Sequence, residues 1–342
     1  MVDQLELKAF APCSALLGRV DSEYLDCVSD DLALLLAHAG VPDVREPFAM
    51  DWRFRLTTEV GQLPKVDLPP AGQAESLARR TGFAPVWQDI DDVPETVPRW
   101  REALEAGRPI VLVGDAYHLP WLPYHGNEHM WHGFVVEGME GGREPLLHVV
   151  DPYDNATQWG HAKPMTTKIS LGDIGPALAG GTWATVAEVI DARPVDLRRQ
   201  LHDNAQAITS ATAEGTPAQF LERHSQLDSA AVENLALQAW LLARDRGLHH
   251  LWLTDKTAEL DEIGLREFTG RFESEVLQAW RRVTEMSYIA LRRVHAGRAA
   301  PDGVLGAAEK ALANEAELAG WLLARTETET TKTTEEQTTG RC

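Results

Sequence analysis

Two kinds of hydrophobic periodicity divide the chain. Up to about residue 193 the apolar residues come in short β-branched runs: Ile110-Val111-Leu112-Val113, Phe134-Val135-Val136 and residues 146–150. Each is bounded by Gly, Pro or Asp, the signature of strands between turns. Residues 183–190 alternate and are β-branched, and predict a further strand. Helical spacing in this half falls at residues 30–38, 74–81 and 97–106, the last stopped by Gly107-Arg108-Pro109. After Arg193-Pro194 the period changes to that of helices. Leu235, Leu237, Trp240, Leu241 and Leu242 mark one. Phe272, Val276, Trp280, Val283 and Ile289 mark a second, within residues 265–294, and Leu305, Ala308, Leu312, Leu318 and Leu322 a third. Thr216-Pro217, Gly247 and residues 297–303 punctuate them. The pattern predicts an α+β domain over residues 1–193 and an all-α helical domain over 194–325. Residues 326–342 are Thr/Glu-rich without apolar residues, and predict a disordered tail.

With 342 residues, 44% of them hydrophobic, the chain has enough apolar content for two cores, which excludes collagen-like, coiled-coil and wholly disordered readings. Its 32 Lys and Arg stand against 52 Asp and Glu, a net charge of −20. Such a surface repels phosphate backbones and anionic headgroups, so neither nucleic acid nor a membrane is an expected partner. An acidic partner protein would need Arg and Lys gathered on one face. No apolar run is long enough to cross a bilayer, and the start, MVDQLELKAF, carries acids where a signal peptide carries bases. A cytoplasmic location is expected. The three cysteines, Cys13, Cys27 and Cys342, cannot all pair, and their spacing fits no zinc site. The apolar faces of the long helices leave a homodimer as open as a bundle.

Cys27 opens a Leu-rich helix that Gly40 ends. A cysteine in a first turn feels the positive end of the helix dipole and unpaired backbone N–H groups, which lower a thiol pKa and offer an oxyanion-binding amide. The commoner role of a free cysteine is a small buried hydrophobe. What shifts the balance lies a hundred residues on: His132 leads the strand His132-Gly133-Phe134-Val135-Val136, and Asp151-Pro152 ends the next. A hairpin turning at residues 138–144 brings imidazole beside carboxylate, the base-and-orienter pair that activates a nucleophile. His129 is the alternative base, and Cys13, ahead of too short an apolar run, the rival nucleophile. Asp115, Tyr117 and His129 are candidates to line a substrate pocket, with Trp121 and Trp131 packing over the cleft. A zinc site from His125, Glu128, His129 and His132 would need a helix that Pro123 and Gly126 oppose, so no metal is expected.

The order Cys, His, Asp is that of papain-like cysteine enzymes. In detail the chain resembles the butirosin biosynthesis protein H family, through residues 27–40, Gly107-Arg108-Pro109-Ile110-Val111-Leu112-Val113, Asp115-Ala116-Tyr117-His118-Leu119-Pro120, residues 129–138 and Val150-Asp151-Pro152. The resemblance implies a papain-like fold and an acyltransferase that moves an acyl or aminoacyl group from a carrier-protein thioester to an amine, as in antibiotic tailoring. By position, Cys27 corresponds to the nucleophile, His132 to the base and Asp151 to the orienter. The implied partners are an acyl or peptidyl carrier protein and a small amine. No cofactor is implied, phosphopantetheine entering only as part of the carrier.

Two departures stand out. Papain-like peptidases place an oxyanion-donating Gln some six residues before the cysteine, where this chain has Asp21; Tyr117, His125 or His129 would have to replace it. Asp26, Asp30 and Asp31 would raise a thiol pKa if they face it, or cap the helix if they do not. Three other readings remain: a hydrolase (thioesterase or peptidase) using water, an intramolecular cyclase, and a non-catalytic carrier-binding module with an unreactive Cys27.

Overall fold

The β-branched runs pair into one six-stranded antiparallel sheet. A computed structural model describes residues 11–67, 74–142, 144–189, 195–257, 264–301 and 303–339. In chain order the first part holds α1 (Cys27–His38), α2 (Ala74–Thr81), β1 (Phe83–Asp89), α3 (Val93–Glu105), β2 (Ile110–Asp115), β3 (Trp131–Glu140), β4 (Leu146–Asp151), β5 (Met165–Ser170), α4 (Leu171–Leu178) and β6 (Thr182–Glu188). The sheet order is β1-β6-β2-β3-β4-β5. This is a mixed α+β unit.

Strand alternation assigns the two faces. Ile110, Leu112, Phe134, Val136, Leu147 and Val149 point into a core shared with Trp100 of α3 and Ile174 and Leu178 of α4. Val111, Val135 and Val150 point the other way, onto Leu34 and Leu35 of α1 and onto Cys13. The sheet is therefore covered on both faces, and α1 runs across the back of β3.

The sequence pattern misses β1, β5 and α4. Both missed strands are the sheet's edges, where one ladder suffices and polar residues are tolerated. β1 even carries Pro85, admissible only where an N–H is dispensable. Helix α3 starts four residues ahead of the predicted 97, because Asp92 caps it (Glu95 N–H to Asp92 Oδ1, 3.0 Å) and Pro94 sits in the first turn, where no N–H is needed. Likewise α1 begins at Cys27 itself rather than 30. Strand β6 ends at Glu188, and Ile190 lies outside the described residues.

The chain divides into two compact units, Met1–Pro47 with Pro70–Arg193, and Phe48–Pro69 with Pro194–Cys342. Residues 48–69, read from sequence as part of the first domain, thus belong with the helices. The reason is aromatic: Trp52 meets Phe272 edge-on at 5.2 Å, Phe54 meets Phe220 at 5.7 Å, and the Gln238 side chain accepts the Val66 N–H at 2.8 Å.

The second unit contains α5 (Leu197–Ala213), α6 (Thr216–Arg223), α7 (Ser229–Lys256), α8 (Leu265–Arg271), a π-helical turn (Phe272–Leu277), α9 (Gln278–His295) and α10 (Val304–Thr339). Gly247, read as punctuation, lies buried inside α7; tertiary packing overrides its low helix propensity. At the centre the fully buried Arg246 is held bidentately by Glu315 (2.7 and 3.0 Å), with Asp245 and the Arg53 carbonyl completing its fork; Trp280 donates to the same Glu315 at 2.7 Å. The stretch expected to be a disordered tail continues α10 as far as Thr339, as a helix already nucleated on its packed turns extends at little cost. Residues 340–342, with Cys342, lie outside the described residues. Among the described residues no helix is long and apolar enough to cross a membrane.

Candidate active site

Three elements meet where β3 begins. The N-terminus of α1 brings Cys27, β3 brings His132 and the end of β4 brings Asp151. Asp26 caps α1, its Oδ1 accepting the N–H groups of Val28 and Ser29 at 3.0 and 2.9 Å and its Oδ2 the Ser29 hydroxyl. Cys27 is then the first helical residue, half-buried against the Phe134 core.

Register sets the rest. Val135 pairs with Val150, which leaves Asp151 diagonal to His132 on the same face, within reach of a long side chain. Both are buried, and His132 Nε2 lies 2.9 Å from Asp151 Oδ2. The same carboxylate oxygen accepts Trp121 Nε1–H at 2.8 Å, while Oδ1 accepts the Tyr153 N–H at 3.0 Å. Tyr153 also meets the imidazole edge-on at 5.1 Å. With Nε2 committed to Asp151, the other nitrogen, Nδ1, is buried and has no hydrogen-bond partner among the described residues. This is the nitrogen left to meet a thiol.

The Gly133 backbone N–H is directed at the Cys27 sulfur, which ties the thiol to the residue next to His132. Gly133 is required by close approach. A Cβ there would stand 2.3 Å from Asp31 Oδ2 and 3.0 Å from the Cys27 carbonyl oxygen. Its absence lets α1 press directly on β3.

The electrostatics differ from those the helix dipole alone suggests. Burial pushes the Cys27 thiol well above its ordinary value, Asp26 adds to this, the Gly133 N–H opposes it, and Asp30 and Asp31 push further up. Asp31 is itself buried and held well up, by burial and then by the Asp151 and Asp26 carboxylates. Asp26 thus serves as a cap, whereas Asp30 and Asp31 lie buried behind the cysteine. The resting pair is a neutral thiol beside an imidazole. Asp21, at the place of the peptidases' glutamine, is engaged by Arg45 at 2.6 Å and is no oxyanion donor.

The three residues read as pocket-lining come together in a second cluster at the same strand end, where Gly114 pairs with His132 and Asp115 with Trp131. His129 Nδ1 lies 2.6 Å from Asp115 Oδ2, Tyr117 stacks on the His129 ring at 4.1 Å, and Asp115 Oδ1 accepts the Tyr117 N–H. Burial acts to raise the Asp115 carboxyl, but the His129 and Tyr117 bonds outweigh it and hold it below its usual range. His129 is exposed, unlike His132. Cys13 is fully buried, its thiol pushed up by burial and then by Glu137. Trp121 packs on Phe134 as expected, but Trp131 is 56% exposed. Among the described residues, no three His, Cys, Asp or Glu side chains converge as metal ligands.

Sequence reasoning overlooked Trp121 as donor to Asp151, Gly133 as the gap for α1, and Asp31. For Gly133 a signal existed: a glycine inside an apolar strand marks close backbone approach.

The fold and geometry define a mixed α+β unit in which a helix-leading cysteine, a buried histidine and a buried aspartate share one strand end. Residues 26–152 match the model of the family described as butirosin biosynthesis protein H, N-terminal, and over that stretch the chain belongs to this family. The matched stretch takes in Cys27, His132 and Asp151. No curated protein matches the chain.

Proposed function

We propose that the first unit is a papain-like cysteine acyltransferase of antibiotic biosynthesis, taking an acyl or aminoacyl group from a carrier-protein thioester and delivering it to an amine. The observation that carries this reading is the division of labour on His132: Nε2 bound to Asp151, Nδ1 left for the Cys27 proton.

In this reading Cys27 Sγ attacks the thioester carbonyl carbon as its proton passes to His132 Nδ1. The tetrahedral intermediate collapses, the bond from carbon to the carrier's sulfur breaks, and the leaving thiolate takes the proton from His132. An amine then attacks the acyl-cysteine, its proton passing to His132, and the Cys27 thiolate leaves and is reprotonated. Asp151 holds the tautomer and stabilises the imidazolium. Asp115 and the Tyr117–His129 stack, beside this strand end, suit a cationic amine: a carboxylate with aromatic faces.

A thioester donor fits the electrostatics better than a peptide bond does. Exchange of one thiol for another is nearly thermoneutral and proceeds by general-base assistance from a neutral thiol. A peptidase needs a stronger thiolate and an oxyanion donor where Arg45 has engaged Asp21 instead.

The test is product analysis with an acyl-carrier thioester and a panel of primary amines. Amide formation dependent on Cys27 and His132 is the expected outcome. Free acid irrespective of amine would make the enzyme a thioesterase, and a cyclic product without added amine a cyclase.

A further inference from the structure

We propose that the outer face of α7 and α9 docks an acidic, helix-presenting protein domain, and that this domain is the carrier whose thioester Cys27 opens. The identity of the partner rests on the function proposed above; the surface does not.

In a chain of net charge −20, residues 278–298 carry five arginines (Arg281, Arg282, Arg292, Arg293 and Arg298) against one glutamate, Glu285. Arg281, Arg282 and Arg292 are exposed, and none of the three takes part in an ion pair among the described residues. They rim an apolar patch. Tyr288 is 46% and Ile289 54% exposed on α9, and Leu237 of α7 is 52% exposed.

The antiparallel packing of the two helices brings these residues to one level. Glu233 meets His295 at 3.0 Å, and the Thr284 hydroxyl reaches the Ala239 carbonyl at 3.0 Å, so Leu237 lies level with Tyr288. On the other flank of α9 a groove of about 700 Å³ runs toward α10, lined by Arg281, Arg282, Met286, Gly306 and Lys310.

An apolar centre with a cationic rim complements an amphipathic helix with carboxylates at its edges. A second copy of this chain would bring arginines against arginines. Nucleic acid would leave the apolar centre unsatisfied. The whole chain repels an acidic partner everywhere else, so the patch also sets where such a partner lands.

The experiment compares two donors of one acyl group on the full chain, acyl-pantetheine and an acyl-loaded carrier protein, with wild type, the triple variant Arg281→Glu/Arg282→Glu/Arg292→Glu, and Ile289→Ser. Circular dichroism and thermal unfolding verify that both variants fold. Expected is a fall of 10-fold or more in Cys27 acylation from the carrier, unchanged acylation from acyl-pantetheine, and a wild-type advantage that shrinks with salt. Carrier acylation at the wild-type rate in both variants overturns the docking surface and leaves the enzyme reading standing. If neither donor acylates Cys27, the enzyme reading fails, and calorimetric titration of the carrier into the three proteins decides the surface: binding lost in the variants sustains it, and no binding to wild type overturns it. A wild-type dimer that the variants convert to monomer also overturns it, in favour of a self-interface.

Discussion

At the residue scale, the site is governed by which charges face the thiol. The helix N-terminus favours a thiolate, yet burial and the surrounding carboxylates win and hold Cys27 protonated. The consequence is a reactive cysteine whose free-enzyme alkylation by iodoacetamide keeps rising above the pH of an ordinary thiol. Asp26 is the largest charged contributor and also the cap. Asn caps equally well without charge, so Asp26→Asn in a Cys13→Ala/Cys342→Ala background should move the alkylation profile to lower pH while costing less than about 0.5 kcal/mol of stability. A profile that stays in place would mean the carboxylate is not what holds the thiol protonated. Trp121 and Tyr153 matter for the opposite reason: they satisfy the remaining capacity of Asp151, which keeps a buried carboxylate able to orient His132 rather than be neutralised.

At the element scale, the helix and the strand meet through one missing side chain. Gly133→Ala places a methyl group against the Asp31 carboxylate and the α1 backbone. Overpacking of this kind costs about 1–3 kcal/mol, and here it also lifts the cysteine from the base, so acylation should fall further than stability does. Chemical denaturation and acylation rates on the one variant separate the two effects. Much of this frame was legible: α1, the central strands β2, β3 and β4, and the order Cys, His, Asp follow from periodicity and turn residues. The edge strands were not, because β1 and β5 face the core on one side only and their polar residues hide the alternation. Nor was the role of the buried acids, since a sequence shows Asp30 and Asp31 following Cys27 but not which way α1 is rolled.

At the scale of the whole molecule, each unit carries its own buried charge. In the helical unit His249 is enclosed, its Nδ1 on the Ala49 carbonyl at 2.7 Å, and burial lowers its pKa to about 3. Below about 6.5 the unfolded chain binds a proton that the folded chain refuses. Its contribution is therefore complete above that pH and drains as pH falls toward 3, by about 1.4 kcal/mol per pH unit. Asp245, raised to about 6 by burial, acts in the opposite direction, but it is common to wild type and His249→Gln. The difference in urea midpoint between the two proteins should shift in favour of His249→Gln as the medium is acidified; a constant difference would mean His249 is protonated in the fold.

Residues 48–69 were assigned to the wrong half by texture alone, since two-residue strands and isolated aromatics give no period. A chain ending at Arg193 strips Trp52 and Phe54 of Phe268, Phe272 and Phe220. Such a fragment should aggregate or bind a hydrophobic dye, as light scattering would show, and a monodisperse fragment would contradict the division.

The central claim is that Cys27, served by His132, carries the acyl group. Intact mass after incubation with acyl-pantetheine tests it on wild type, Cys13→Ala, Cys27→Ala and His132→Ala. The expected record is one acyl increment on wild type and Cys13→Ala, none on Cys27→Ala, and acylation slowed about 10²–10⁴-fold in His132→Ala. An increment that survives in Cys27→Ala, or a rate indifferent to His132, would contradict it.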